Sequence, residues 1–279
     1  MNSFSTVYRK AFKQMLIPMG YSMKKSLFYK EVDGSICFFI HARRVIHSRI
    51  STTMEVYVDA VPYCADLEAA DYDPLESAIR LIDILKMLDS ETISVNNAHS
   101  FYTTRLMMDT EETMISSINN ICCDMERKVL PYIHKFVDLD YYYNEIKNAS
   151  INGKSYTNSN SDFFLYGLSL KLHKYDDVLP YIEKQLAWHN NIIQHYKSEL
   201  EEHNKGNVNQ FLQKKMKKDK TFLERFINAE RKMIVDSESE VTKFTALILA
   251  IQTDDHDCIN EIVKKTEKRS REYINQMLT

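Results

Sequence analysis

Glycine and proline are scarce in this chain, and the short motifs of several large enzyme classes are missing. Only five glycines and five prolines occur among 279 residues. An all-β fold needs many turns built from these two residues, so their scarcity favours long helices. The sequence contains no GxGxxG, GxxxxGK[ST], HExxH or GxSxG. Nucleotide-loop, zincin and hydrolase-elbow chemistries therefore lose their usual signatures, whereas an enzyme without these motifs is not affected.

The chain also lacks the features of a secreted or membrane-spanning protein. Its five cysteines are an odd number without a CxxC pair, and adjacent Cys122 and Cys123 cannot form an ordinary disulfide with each other. No run approaches the roughly 18 apolar residues of a membrane span. The N-terminus has charges inside its apolar pattern, which is typical of an amphipathic helix and not of a signal peptide. These features predict a reduced, cytoplasmic protein with buried thiols and no membrane partner.

Charge of one sign is not in excess. The net charge is −3 and the pI is near 6.3, with 44 % hydrophobic and 27 % charged residues. These are ordinary values for a soluble globular domain, and no global field favours nucleic acid or an anionic membrane.

The N-terminal third has the pattern of a helix followed by an antiparallel sheet. Apolar residues at helical spacing predict a helix over 3–17. Asp33-Gly34 predicts a tight hairpin turn, because glycine accepts a positive φ without steric cost. In the strand after the turn, side chains alternate between a face with Ile36, Phe38 and Ile40 and a face with Cys37, Phe39, His41 and Arg43. The next strand directs Glu55, Tyr57 and Asp59 outward, so we expect a meander with one wet face.

The rest of the chain has mainly helical patterns. We expect a helix at about 74–88, a strand or two within 92–108, and helices from Thr110 onward, with Pro131 bending or breaking the first of them. The polar run 148–162 is typical of a linker or mobile loop. These patterns predict three parts: an α+β domain (1–147), a linker (148–162) and a helical domain (163–279).

Two helical hairpins, at 163–186 and 241–265, have similar sequences. Offset by 80 residues, Phe164, Asp177, Ile182 and Lys184 coincide with identical residues in the second hairpin. A true duplication and a fortuitous match both explain this, since two copies do not make a solenoid.

The segments GYSMKKSLFYKEVDG, FFIHARR, MEVYVDA and CCDMERKVLPYIHKF resemble a bacterial family catalogued as domain of unknown function 4304. The resemblance covers about residues 7–185, including Leu130-Pro131 near the end of the later helix. The family's second strand often ends in Gln and a basic residue, whereas this chain has His41 and Arg43-Arg44 there. The resemblance implies an α+β N-terminal domain with a helical C-terminal part, and it implies no activity.

Four polar side chains could share the outward face of the sheet: His41, Glu55, Tyr57 and Asp59. A histidine and two carboxylates can ligate a metal or transfer protons, so His41, Glu55 and Asp59 are candidate metal ligands. The alternative is that cross-strand charge pairs merely keep an exposed face soluble.

Basic residues form two further candidate sites. HARRVIHSR at 41–49 places Arg43, Arg44 and Arg49 in a predicted hairpin loop, where guanidinium groups could bind a phosphate or an acidic partner. The lysines of 214–220 could bind nucleic acid, although nearby glutamates balance their charge. A solvated loop at 41–49 and a solvated helix face at 214–220 are the simpler interpretations of both groups.

These patterns predict an α+β fold, with an N-terminal helix packed on a small antiparallel sheet and a helical C-terminal half of helical hairpins. The leading functional hypothesis is a non-catalytic, protein-binding module without a cofactor. Its contact surface would be the sheet face and basic loop (Phe39, His41, Arg43, Arg44, Arg49 and Tyr57) or the groove between helical hairpins. The alternatives are a metal-dependent or hydrolytic enzyme on the sheet face, and nucleic-acid binding through loop 43–49 and lysines 214–220.

Overall fold

The computed structural model describes residues 3–48, 51–65, 79–80, 103–105, 110–151, 161–208, 210–216, 219 and 221–279. The strands are β1 (Ser22–Lys24), β2 (Leu27–Val32), β3 (Ile36–Ser48), β4 (Ser51–Pro62), β5 (Ile79–Arg80) and β6 (Thr103–Arg105). The helices are α1 (Phe4–Leu16), α2 (Glu111–Asp124), α3 (Leu130–Ile133), α4 (Leu139–Ile151), α5 (Ser161–Lys171), α6 (Tyr175–Asn204), α7 (Gln210–Met216), α8 (Phe222–Gln252) and α9 (His256–Leu278). Beyond residue 110 the described chain contains helices and no strand.

Helix α1 packs an aromatic face on the sheet. Ser3 caps its N-terminus by accepting a hydrogen bond from the N–H of Thr6. The rings of Tyr8 and Phe12 lie 4.5 Å apart, and each also lies about 6 Å from the ring of Phe28 in β2. All three aromatic side chains are buried, so the expected N-terminal helix on an antiparallel sheet is confirmed.

The turn between β2 and β3 forms where the sequence predicts it. Asp33 and Gly34 both have positive φ, 50° and 63°, and the N–H of Ser35 donates to the carbonyl of Val32. Two consecutive positive φ values define a type I′ turn, which matches the twist of the two strands. The pairing then runs antiparallel from Val32↔Ile36 to Phe28↔Ile40.

The expected wet face of this sheet is wrong. Phe39, Tyr57 and Asp59 are 0 %, 4 % and 2 % exposed, so the outward face is buried at these three positions. The C-terminal part of α9 lies on that side of the β2–β3 hairpin. There Arg271 donates to Glu31 and to the carbonyl of Gly34, both at 2.6 Å. Local alternation identified the two faces but could not show the contact with Arg271, which lies 240 residues farther along the chain.

The predicted helix at 74–88 is wrong at Ile79–Arg80, which pairs with β4 as strand β5. The other residues of that segment lie outside the described residues. Strand β6 falls within 92–108, where the sequence predicts a strand or two. Partner strands decide such short segments, because two or three residues have too little local pattern to specify a strand.

Pro131 alters the helix around it without ending it. A π-helical turn, Met125–Val129, joins α2 to α3, and the N–H of Leu130 donates to the carbonyl of Met125. The wider turn comes just before the proline. Proline has no N–H to donate, and its ring would clash with the preceding turn of a regular α-helix. Farther along, Tyr142 of α4 donates from its hydroxyl to the carbonyl of Ala60, which ties this helical segment to β4.

The chain packs as two compact units. The sheet unit comprises Met1–Leu172 with Val263–Thr279, and the helix-pair unit comprises His173–Ile262. In the helix-pair unit the long helices α6 and α8 pack against each other. The division into domains 1–147 and 163–279 stays a prediction, and residues 152–160 of the polar run lie outside the described residues. No helix in the described part of the chain has the length and apolarity needed to cross a membrane.

The two predicted helical hairpins have equivalent turns, but at an offset of 81 and not 80. His173 and Asp254 hold the same position with φ of 55° and 54°. In each turn the residue just before this position donates the last hydrogen bond of the helix, from its N–H to the carbonyl four residues earlier. The sequence identities at offset 80 therefore do not fall on structurally equivalent positions, and duplication stays a prediction.

Burial makes three thiols poor nucleophiles. It raises the pKa of Cys37, Cys64 and Cys122 from 9.0 to about 12. Because the thiolate is the reactive form, these residues should label about a thousandfold more slowly than an ordinary thiol at neutral pH. We expect a thiol-reactive dye to label exposed Cys123 in the native protein, and Cys37 and Cys64 only after unfolding. Rapid native labelling of Cys37 or Cys64, mapped by mass spectrometry, would contradict this burial.

Candidate functional site

The β3–β4 hairpin brings three of the predicted sheet-face residues together. His41 and Tyr57 are paired across the strands and their rings stack, with centroids 4.7 Å apart. His41 Nε2 lies 3.9 Å from Asp59 Oδ2. His41 keeps 24 % of its side chain exposed, whereas Asp59 and Tyr57 are buried. The cluster therefore meets solvent only through the imidazole.

Of the three candidate metal ligands, the structure describes the side chains of His41 and Asp59. Glu55 pairs with Arg43 in the strand register, but its side chain lies outside the described residues. Asp59 is too buried to meet a substrate from solvent in this conformation, so His41 is the accessible member of the cluster. Metal-dependent or hydrolytic chemistry at His41, Glu55 and Asp59 stays a prediction.

The predicted basic loop is wrong for residues 41–48, which form the second half of β3. Arg43 and Arg44 are strand residues paired with Glu55 and Met54, and Arg49 lies outside the described residues. The alternating side-chain pattern of β4 begins at its first residues. Strands β3 and β4 can therefore pair almost as far as the turn that joins them. Arg44 is exposed, and the side chain of Arg43 lies outside the described residues.

Among the described strands, the second half of β3 lies at an edge of the sheet. Strand β2 pairs with β3 only as far as Ile40, and no described strand pairs with residues 41–48 on that side. The hydroxyl of Tyr8 donates to the carbonyl of Ser26, just before β2, so it lies on the β2 side. The N–H of Ala42 points to the same side, because it donates to this hydroxyl. Alternate residues of a strand direct their backbone groups to the same side. Arg44 and Ile46 therefore present their N–H and C=O groups along this edge.

Residues 42–48 of β3 are called the β3 edge. An edge strand offers a row of backbone donors and acceptors with which another strand can pair. Charged residues on an edge also discourage unwanted pairing, and Arg44 can serve that purpose. A partner strand rich in Asp and Glu would turn the same charge into attraction.

The lysine-rich surface at 214–220 is only partly described. Lys214 and Lys215 are exposed on α7, and Asp219 forms an ion pair with Arg225. The remaining lysines of this run lie outside the described residues. Nucleic-acid binding here stays a prediction, because exposed lysines beside acidic residues are equally typical of a solvated helix.

Sequence reasoning missed a second cluster of polar residues, made by Glu199, His203 and Glu230. Their side chains meet between α6 and α8, with their donor atoms within 4.8 Å of one another. The signal that could have found it is Glu199-x-x-x-His203, because residues four apart lie on one face of a helix. The third member is contributed by a different helix, and its spacing in sequence has no motif.

A comparison of this chain with protein-family models, curated proteins and solved structures finds no match. The resemblance of residues 7–185 to domain of unknown function 4304 therefore stays a prediction.

Proposed function

We propose that this chain is a cytoplasmic, non-catalytic protein-binding module that binds an extended, acidic segment of a partner along the β3 edge. The observation that supports it most is that β3 extends eight residues beyond its pairing with β2, from 41 to 48. Five free cysteines without a CxxC pair support the cytoplasmic location.

Strand addition would use both the backbone hydrogen-bonding groups and the positive charge of this edge. Main-chain hydrogen bonds would give affinity, and side chains that alternate along the edge would give selectivity. The positive charge of exposed Arg44 favours a segment that is rich in carboxylates. The hydroxyl of Tyr8 already accepts from the N–H of Ala42, so we expect pairing to begin beyond Ala42.

The test compares two substitutions at Arg44. Peptides are first selected from a display library that contains random and Asp/Glu-rich sequences. Arg44→Pro removes both the charge and the outward N–H. We expect it to lower the affinity for the selected peptide at least about tenfold. Arg44→Ala removes the charge but keeps the N–H, so its loss should be smaller and should shrink as salt is added. Titration calorimetry at two salt concentrations measures both.

Hydrogen exchange then reports where the peptide binds. In the complex, the amides of Arg44 and Ile46 should exchange more slowly, because they would donate to the added strand. Circular dichroism checks that Arg44→Pro is folded. A library without binders, equal affinity of Arg44→Pro and wild type, or protection elsewhere would each refute strand addition at this edge.

A further inference from the structure

A buried polar cluster links the two long helices α6 and α8 of the helix-pair unit. His203 Nδ1 lies 3.1 Å from Glu230 Oε2, and these two side chains are only 5 % and 3 % exposed. Glu199, one turn before His203 on α6, is half-buried and adds a second carboxylate. The ring of Phe226, one turn before Glu230 on α8, lies edge-on to the imidazole at 5.9 Å and forms an apolar wall.

The cluster holds more acceptors than donors. Glu230 Oε2 contacts the imidazole, but Oε1 of the same carboxylate is buried and has no hydrogen-bond partner in the described part of the chain. A buried carboxylate oxygen without a partner is costly, so such an atom points to a ligand. Two carboxylates face a single imidazole, which even when protonated neutralises only one of them.

Burial raises the pKa of Glu230, His203 lowers it in part, and the carboxylate of Glu199 raises it further. A divalent cation among the three side chains would neutralise both carboxylates and supply the missing partner of Oε1.

We propose that Glu199, His203 and Glu230 bind one divalent transition-metal ion between α6 and α8. An imidazole nitrogen with carboxylate oxygens suits the Zn²⁺, Co²⁺ and Mn²⁺ class, whereas Mg²⁺ and Ca²⁺ prefer oxygen ligands alone. Metal–ligand bonds of about 2.0–2.2 Å hold neighbouring donors roughly 3–4 Å apart. Donor atoms within 4.8 Å of one another therefore need only a small approach of the side chains.

The ligands come from two helices, so the ion would join α6 to α8. On α6 the i,i+4 spacing places Glu199 and His203 on one face, and the facing α8 supplies Glu230. Three protein ligands leave at least one coordination position for water or another molecule. Removal of one ligand should lower the metal affinity at least about tenfold, since mutation of a residue that only hydrogen-bonds to a metal ligand already has an effect of that size.

The experiment titrates the chelator-treated full chain with Co²⁺ and follows visible absorption, then adds Zn²⁺. We expect one equivalent of Co²⁺ to bind, Zn²⁺ to displace it, and Glu230→Gln to weaken binding at least about tenfold. The matched control is Lys197→Ala, which breaks an exposed ion pair with Glu238 between the same two helices. This control should bind Co²⁺ like wild type.

Several results would overturn the proposal. These are no saturable binding to wild type, equal binding by wild type and Glu230→Gln, or absorption bands of cobalt–thiolate ligation. If Glu230→Gln does not fold, half-buried Glu199→Gln takes its place, and equal Co²⁺ affinity in that variant refutes the site. A merely structural contact between His203 and Glu230 predicts that Zn²⁺ leaves the melting temperature of wild type unchanged. A metal site predicts an increase that is absent in the ligand variant.

Discussion

Phe12→Ala should lower the free energy of unfolding of the sheet unit by about 3–5 kcal/mol, the usual loss when a buried phenylalanine is truncated. Phe12 is 0 % exposed and lies between Tyr8 on its own helix and Phe28 on β2. Its removal leaves a cavity at the contact of α1 with the sheet. Domains of this size have only about 5–15 kcal/mol of stability, so much of the native population would be lost.

The matched control for Phe12→Ala is Phe4→Ala on the same helix. Phe4 also stacks on Tyr8, at 6.0 Å, but it is only half-buried, so its truncation leaves less cavity and should cost about 1 kcal/mol. Hydrogen exchange followed by mass spectrometry measures both, because it resolves the sheet unit from the helix-pair unit. Similar losses for the two variants would show that Phe12 does not hold α1 on the sheet.

Gly167→Ala should destabilise the sheet unit by about 3 kcal/mol, although alanine is the better helix former. A Cβ at Gly167 would lie 2.5 Å from the carbonyl oxygen of Cys64 and 3.1 Å from the nitrogen of Ala65. Both are backbone atoms just beyond β4, so they cannot move aside as a flexible side chain would. Helix α5 approaches this stretch so closely only because position 167 has no side chain.

The control for Gly167→Ala is Gly206→Ala. Gly206 has φ of +83° and no atom within 4 Å of a built Cβ, so its only cost is the left-handed backbone, about 1–2 kcal/mol. Chemical denaturation and hydrogen exchange should place the effect of Gly167→Ala in the sheet unit and that of Gly206→Ala in the helix-pair unit. If Gly167→Ala were neutral, α5 could not lie as close to Cys64 as the structure places it.

The stretch after β4 is contacted by two distant helices, α5 and α9, which explains its sensitivity. The guanidinium of Arg271 stacks 4.5 Å from the ring centre of Tyr63, and Ser270 donates to the carbonyl of Ala65. Gly167 of α5 meets Cys64 between them. Nothing in the local sequence of 63–65 predicts these contacts, because each depends on a residue at least 100 positions later.

The candidate binding site was predicted in part. The sequence predicted that His41 and Tyr57 share one face of adjacent strands, and the strand register pairs them across β3 and β4. The basic pattern of 41–49 predicted that the arginines lie in a loop. These residues form a strand because they pair with β4, which the local pattern does not show. The edge itself depends on where β2 stops pairing, which the register decides and side-chain alternation does not.

Local pattern by itself determined α1, the Asp33-Gly34 turn and the helical C-terminal half, because helix and turn formation depend on residues a few positions apart. Tertiary structure alone decided that Phe39 and Asp59 are buried. It also decided that Glu230 faces Glu199 and His203. A periodic pattern tells which residues share a face, but the segment that packs against that face comes from elsewhere in the chain. Burial and the electrostatic environment of each candidate site therefore depend on the fold.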